Sequence, residues 1–163
     1  MSVKFVVCDD IPRVTRTIKD MLINELSLED KDVVCFNFTD YLLNFLRNNS
    51  CDNIIIDLAM DSTGLPQKER EDCKSSTLTG WIFIKNYIIN GEFKDKLKNT
   101  NIYIFSGYGN ILSKELGINV ENDRFDIDSL CKELSNYGDN IHFFKKKGIY
   151  GGIDKMIDSF IGS

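Results

Sequence analysis

The sequence predicts one α/β domain, a doubly wound five-stranded parallel sheet with helices on both faces. Three observations carry this prediction. Short apolar runs alternate with stretches of helical periodicity along the whole chain, the pattern of strands joined by crossover helices. The run from 53 to 60, NIIIDLAM, holds three consecutive β-branched residues, apolar on both faces and too short for a helix. That composition marks a buried central strand of a parallel sheet. Finally, the apolar runs end on acids, a hydroxyl and lysines, at the sheet edge where open α/β sheets hold their ligands.

In chain order, Val3 to Cys8 reads as a strand ending on Asp9 and Asp10. Pro12, tolerated in a first helical turn, opens a helix with Val14, Ile18, Met21, Leu22 and Leu26 on one face. Val33 to Phe38 is the second strand, and Thr39 is placed to cap a helix carrying Leu42, Leu43, Phe45 and Leu46. Asn48 to Asp52 reads as the turn into the central strand, which ends on Asp57. From Asp61 to Thr79 the chain is polar, charged and aperiodic, a long loop of the functional or disordered kind. Gly80 opens a helix with Trp81, Ile84 and Ile88 on one face. Ile102 to Phe105 is a strand ending on Ser106-Gly107. A short helix, Ile111 to Leu116, stops at Gly117, and an irregular acidic stretch follows. Asp128 or Ser129 caps a helix through Leu130, Leu134 and Tyr137, closed by Gly138. Ile141 to Phe144 is the fifth strand. After Lys145, Lys146 and Lys147 comes a last helix with Ile149, Ile153, Met156, Ile157 and Phe160.

Composition bounds the function. With 163 residues and 42% hydrophobic content the chain can bury a core, and 28% charge with two prolines does not describe a disordered chain. A net charge of -5 disfavours direct nucleic-acid binding. No apolar run reaches a membrane span, and the first residues lack a signal-peptide pattern. Five cysteines at irregular spacings, with no CxxC and one histidine, argue against a disulfide framework or a zinc site. A reduced, cytoplasmic protein is the expectation.

Three carboxylates converging at one sheet edge repel one another unless a cation sits among them. Oxygen ligands call for Mg²⁺ or Mn²⁺, and Mg²⁺ accepts one or two carboxylates plus phosphate oxygens while keeping several waters. A hydroxyl and an ammonium beside such a site suit a phosphoryl group.

This arrangement resembles the receiver domain of two-component response regulators. That family carries an acidic pair after strand one, a phosphorylated Asp after strand three, Thr or Ser after strand four and Lys after strand five. The matching residues are Asp9 and Asp10, Asp57, Ser106 and Lys146, spread from residue 3 to about 161. The resemblance implies a flavodoxin-like sheet of order 2-1-3-4-5 and a single receiver domain over 1–163, with insertions at about 61–79 and 117–139. It implies that Asp57 is the phosphoacceptor, with Asp10 and Asp57 binding Mg²⁺ directly, Asp9 mostly through water, and the backbone carbonyl of Ala59 completing the protein ligands. Lys146 and Ser106 would hold the phosphoryl oxygens, and Ser106 and Phe143 would form the switch pair. It further implies a sensor histidine kinase or phosphotransfer protein as donor and a separate effector protein as target. Direct nucleic-acid or membrane contact is not expected, nor turnover beyond Mg²⁺-dependent self-phosphorylation and self-dephosphorylation.

The departures lie in three places. Lys147 stands where the family has Pro, so the lysine run leaves the phosphate ligand open by one position; taking Phe143-Phe144 as the preceding pair selects Lys146. The 61–79 segment displaces the family's Met-Pro turn, with Leu65-Pro66 as a remnant, and is expected to be mobile and dispensable for folding. The second insertion leaves the fourth helix of the family undefined. Simpler roles compete with each site residue: helix-terminal charge for Asp9 and Asp10, a strand-to-helix turn for Ser106, a solvated edge for the lysines. His142 reads as a strand-edge residue and Trp81 as core or partner surface. A haloacid-dehalogenase phosphatase would need a second Asp at position 59, and a flavodoxin a hydroxyl-rich loop where Asp9-Asp10 stands. A receiver-like interaction module that is never phosphorylated is the alternative.

Overall fold

In the computed structural model, which describes residues 2–162, five strands form one parallel sheet of order β2-β1-β3-β4-β5. They are β1 (Ser2–Cys8), β2 (Val33–Phe36), β3 (Ser50–Ile56), β4 (Asn101–Ser106) and β5 (Ile141–Lys145). The doubly wound architecture and strand order agree with the sequence prediction. Alternation along β3 serves both layers. Ile54 and Ile56 join one core with Leu42, Leu46, Trp81, Phe83 and Leu112, and Ile55 joins the other with Val14, Ile18, Leu22, Met156 and Ile157. Register levels the strand ends: Cys8 pairs with Ile56, Ile56 with Ile104, and Phe105 with Phe144. The residues that follow therefore share one edge.

Helices α1 (Pro12–Leu26) and α7 (Ile153–Ile161) cover one face. The other face carries α2 (Thr39–Asn48), α4 (Thr79–Phe83), which runs on as a π-helix over Ile84–Ile89, and then α5 (Gly109–Glu115) and α6 (Ile127–Ser135). None of the described helices is long and apolar enough to cross a membrane. All five cysteines are free.

Several boundaries differ from expectation. β3 begins at Ser50, because Ser2 and Val3 extend the ladder to Ser50 and Cys51 through residues expected to turn. β2 ends at Phe36, where Asn37 turns to donate its amide to the Asp9 carbonyl at 2.7 Å. Thr39 is the first residue of α2 rather than its cap, and its buried Oγ1 has no partner. Asp126, not Asp128 or Ser129, caps α6: it accepts from the Asp128 N–H and the Ser129 hydroxyl, both at 3.0 Å. The last helix starts at Ile153, since Lys147 and Gly151 form a tight bridge and Gly152 takes φ +100°. Ile149 thus leaves the helix for the rim of the sheet edge.

The 61–79 segment is packed, contrary to expectation. It contains a 3₁₀ turn (Ser62–Gly64), the single turn α3 (Gln67–Arg70) and a second 3₁₀ turn (Glu71–Cys73). Leu65, Cys73 and Leu78, too widely spaced to show a period, are all buried in the main core. Polar ties hold the outer arm as well: Glu69 accepts from Asn86 at 2.7 Å and from the Tyr87 hydroxyl at 2.8 Å. Arg70 donates to the carbonyls of Leu65 and Thr63. In the 117–139 region, an antiparallel bridge between Glu121 and Arg124 turns through left-handed Asn122 and Asp123 before α6 begins.

Candidate functional site

Three strand ends build the site. β1 runs into Asp9 and Asp10, β3 into Asp57, and β5 into Lys146. Backbone bonds continue the ladders one step further: Asp9 N–H donates to Phe36, Asp57 N–H to Cys8, and Lys146 N–H to Ser106. The side chains are thereby fixed at the carboxyl edge. Lys146 Nζ lies 2.7 Å from Asp9 Oδ2 and 2.7 Å from Asp57 Oδ2. Lys146, Asp9 and Asp57 are all buried, whereas Lys145 and Lys147 are exposed, and Lys145 Nζ stands 5.7 Å over the Phe125 ring. Asp9 Oδ1 also accepts from the Ile11 N–H at 3.0 Å. Half-buried Asp10 holds the Asp61 N–H at 3.2 Å through Oδ2, and the Ala59 N–H reaches Asp57 Oδ1 at 3.4 Å.

One ammonium faces three acids, and the electrostatics record it. Burial and the neighbouring Asp57 charge push Asp9 up to about 6, against the pull of Lys146. Burial also raises Asp10, opposed by the Asp61 N–H. For Lys146, burial works against the charged form, but Asp57 and Asp9 outweigh it and its pKa ends above the ordinary lysine value.

A cavity of about 470 Å³ opens over these groups, lined by Asp10, Asp57, Ala59, Lys146 and, around them, Ile11, Tyr108 and Ile149. Ser106 is fully buried, and its Oγ accepts from the Tyr108 N–H at 3.2 Å. It stands at the end of the neighbouring strand and is directed into its own turn. Phe143 is buried already, edge-on to Phe125 with ring centroids 5.9 Å apart. Among the described residues, no three Asp, Glu, His or Cys side chains are arranged to hold a metal by themselves. The donor set does suit Mg²⁺, which needs only one or two carboxylates and keeps several waters. Asp10 and Asp57 share one cavity wall with Ala59, and the surplus of negative charge favours a cation.

Sequence reasoning missed the part played by Gly80. A Cβ there would stand 2.0 Å from the Asp57 carbonyl oxygen, and the Gly80 N–H donates to Leu58 at 3.0 Å. Only glycine lets the returning chain lie against the strand end. A glycine opening an apolar helix was visible in the sequence, but the residue it must touch was not. The rim residues Ile11, Tyr108 and Ile149 carried no signal beyond being apolar.

No family model matches the sequence, and no curated protein matches it. Among solved structures, the fold is similar to the receiver domain of the Francisella response regulator 1452. The TM-score is 0.55 at 16% identity, over 96% of this chain and 92% of that one. It is also similar to response regulator DrrB, a Thermotoga maritima OmpR/PhoB homolog, with TM-score 0.48, 12% identity, 97% of this chain and 50% of that one. A de novo designed Rossmann 2x3 protein gives 0.47 and 10%, over 98% and 89%. The last two lie below a TM-score of 0.5 and add nothing to the first. At these identities the likeness is one of backbone architecture. The chain has the fold of a response-regulator receiver domain.

Proposed function

We propose that the protein is a phosphoryl-accepting receiver in which Asp57 is the acceptor. The observation that carries this is the convergence of Asp9, Asp10, Asp57 and Lys146 at the carboxyl edge of the sheet, with a cavity open above them. An Asp57 oxygen attacks the phosphorus of a phosphohistidine or small acyl phosphate. The new O–P bond forms as the donor's P–N or P–O bond breaks, and the leaving group departs with that electron pair. Lys146 neutralises charge on the phosphoryl oxygens, and Ser106 exchanges the Tyr108 N–H for a bond to one of them. Asp10, Asp57 and the Ala59 carbonyl are the residues that would hold Mg²⁺, with Asp9 reaching it through water. The metal, when bound, would neutralise phosphoryl charge. Water later hydrolyses the acyl phosphate, so no separate substrate is turned over. The modification adds about -1.5 to -2 charge beside Lys146, biasing a two-state surface through Ser106 and Phe143. A sensor kinase or phosphotransfer protein supplies the phosphoryl group, and an effector protein reads the result.

Incubation with acetyl phosphate and Mg²⁺ is expected to give one base-labile adduct on Asp57, abolished in Asp57→Asn. Labelling that survives this substitution, or maps elsewhere, overturns the proposal. The second reading, an interaction module that is never phosphorylated, draws on the Lys146 ammonium that already satisfies both Asp9 and Asp57. Absence of any adduct, with the cavity residues intact, would favour it.

A further inference from the structure

We infer that the 61–79 segment is a clamp on the acidic pocket, and that Thr79 and Asp61 are its positioning residues, setting the Ala59–Met60 backbone and the orientation of Asp10. This rests on reading the pocket as a site for a divalent cation and a phosphoryl group.

The segment leaves the sheet after Met60 and returns at Thr79, and both ends are tied to the residues that follow Asp57. The Met60 N–H donates to the Ser76 carbonyl at 3.2 Å, and the Gly80 N–H to Leu58 at 3.0 Å. The Thr79 hydroxyl donates to the Met60 carbonyl at 2.7 Å and lies 3.3 Å from that of Ser76. Thr79 is fully buried, so no water replaces its hydroxyl if it is lost. One residue into the segment, the Asp61 N–H holds Asp10 Oδ2, while the Asp61 carboxylate accepts from the Thr63 N–H at 2.8 Å. Asp61 is thus gripped from both sides. Arg70 then ties the Thr63 carbonyl, and Glu69 anchors the outer arm to the π-helix through Asn86 and Tyr87.

The turn that brings Ser76 back to Met60 uses Lys74, Ser75 and Ser76 at φ 50°, 54° and 67°, three successive left-handed residues with a Cβ. Side chains disfavour that conformation, and it persists only where surrounding structure holds it. Here it is held against the strand that carries Asp57. The inserted chain fixes groups that touch the pocket without entering it, the role of outer-shell partners that orient metal ligands.

The test is Mg²⁺ titration of the intact protein, read by calorimetry and by fluorescence of Trp81, the one tryptophan in the chain, next to Gly80. Thr79→Val keeps shape but removes the hydroxyl; Thr79→Ser restores it. We expect Val to weaken Mg²⁺ binding about tenfold and Ser to stay within about twofold of the parent. Asp61→Ala and Asp61→Asn both remove the charge, but only Asn can still accept from Thr63 N–H, so Ala is expected to bind more weakly than Asn. Asp61 is exposed, and this pair decides the matter if Thr79→Val fails to fold. In metal-free protein, the Asp10 carboxyl ¹³C shift should move in Val and not in Ser. Equal affinities within each pair, or an unmoved Asp10 signal, overturn the clamp alone. A parent protein that binds no Mg²⁺ overturns the pocket reading, and the clamp falls with it.

Discussion

Lys146 answers two buried carboxylates with one charge, and Asp9 carries the imbalance. Its pKa stands at about 6, above the ordinary value of 3.8. Between those two values the folded protein holds a proton that the unfolded chain has released. Stability from this group therefore falls as pH rises from about 4 to about 6 and levels off above, with about 1.4 kcal/mol lost for each pH unit crossed in that window. Urea midpoints at pH 4, 5 and 7 should show this decline, and Asp9→Asn should flatten it. Lys146 runs on a different window: its pKa is raised, so its contribution is present below the ordinary lysine value and lost as pH climbs through the raised one. The acids at the strand ends were legible in the sequence because a strand's last residue is marked where apolar character stops. The choice of Lys146 among three lysines came from the family resemblance, with Phe143-Phe144 taken as the preceding pair. In the fold Lys146 alone of the three is buried, 2.7 Å from both Asp9 and Asp57. The contacts of Ser106 with its own turn were not legible, since a hydroxyl's rotamer leaves no trace in composition.

At the scale of the element, the return of the chain at Gly80 is the tightest fit next to the site. Gly80→Ala would press a methyl into the Asp57 carbonyl, 2.0 Å away, with backbone on both sides and no flexible side chain to give way. We expect it to cost about 3 kcal/mol or more, measured by urea denaturation, and to weaken Mg²⁺ binding in whatever protein remains folded. The strands and long helices were readable because each buries a periodic set of apolar residues. Helix starts were less so. Thr39 and Asp128 have the chemistry of caps, yet Phe38 and Asp126 occupy those positions. A cap is decided by where the preceding chain arrives, which is a tertiary matter.

For the molecule as a whole, the first insertion changes the size of the core rather than decorating it. Leu65, Cys73 and Leu78 sit with Leu58, Met60 and Trp81 in one cluster. Joining Met60 to Thr79 by a short turn should therefore cost on the order of 5 kcal/mol of lost apolar burial, comparable with the total stability of a small domain. Loss of the near-ultraviolet circular dichroism of Trp81 and a collapsed urea midpoint would register it; an unchanged midpoint would mean that the segment only rests on the surface. The packing of this segment was not legible in the sequence because three buried residues scattered among charges show no period.

The free thiols have a consequence of their own. They are distributed one per structural unit: Cys8 on β1, Cys35 on β2, Cys51 on β3, Cys73 in the inserted segment and Cys131 on α6. Burial raises the pKa of every one, so none is a ready nucleophile while its surroundings stay closed. Cys8, Cys51 and Cys73 are buried, so alkylation there must wait for each unit to open, which gives the molecule three clocks running on local unfolding, while half-buried Cys35 and Cys131 react without that wait. Because Cys73 lies between the anchored ends of the inserted segment, its clock would report whether that arm ever lifts while the sheet stays shut.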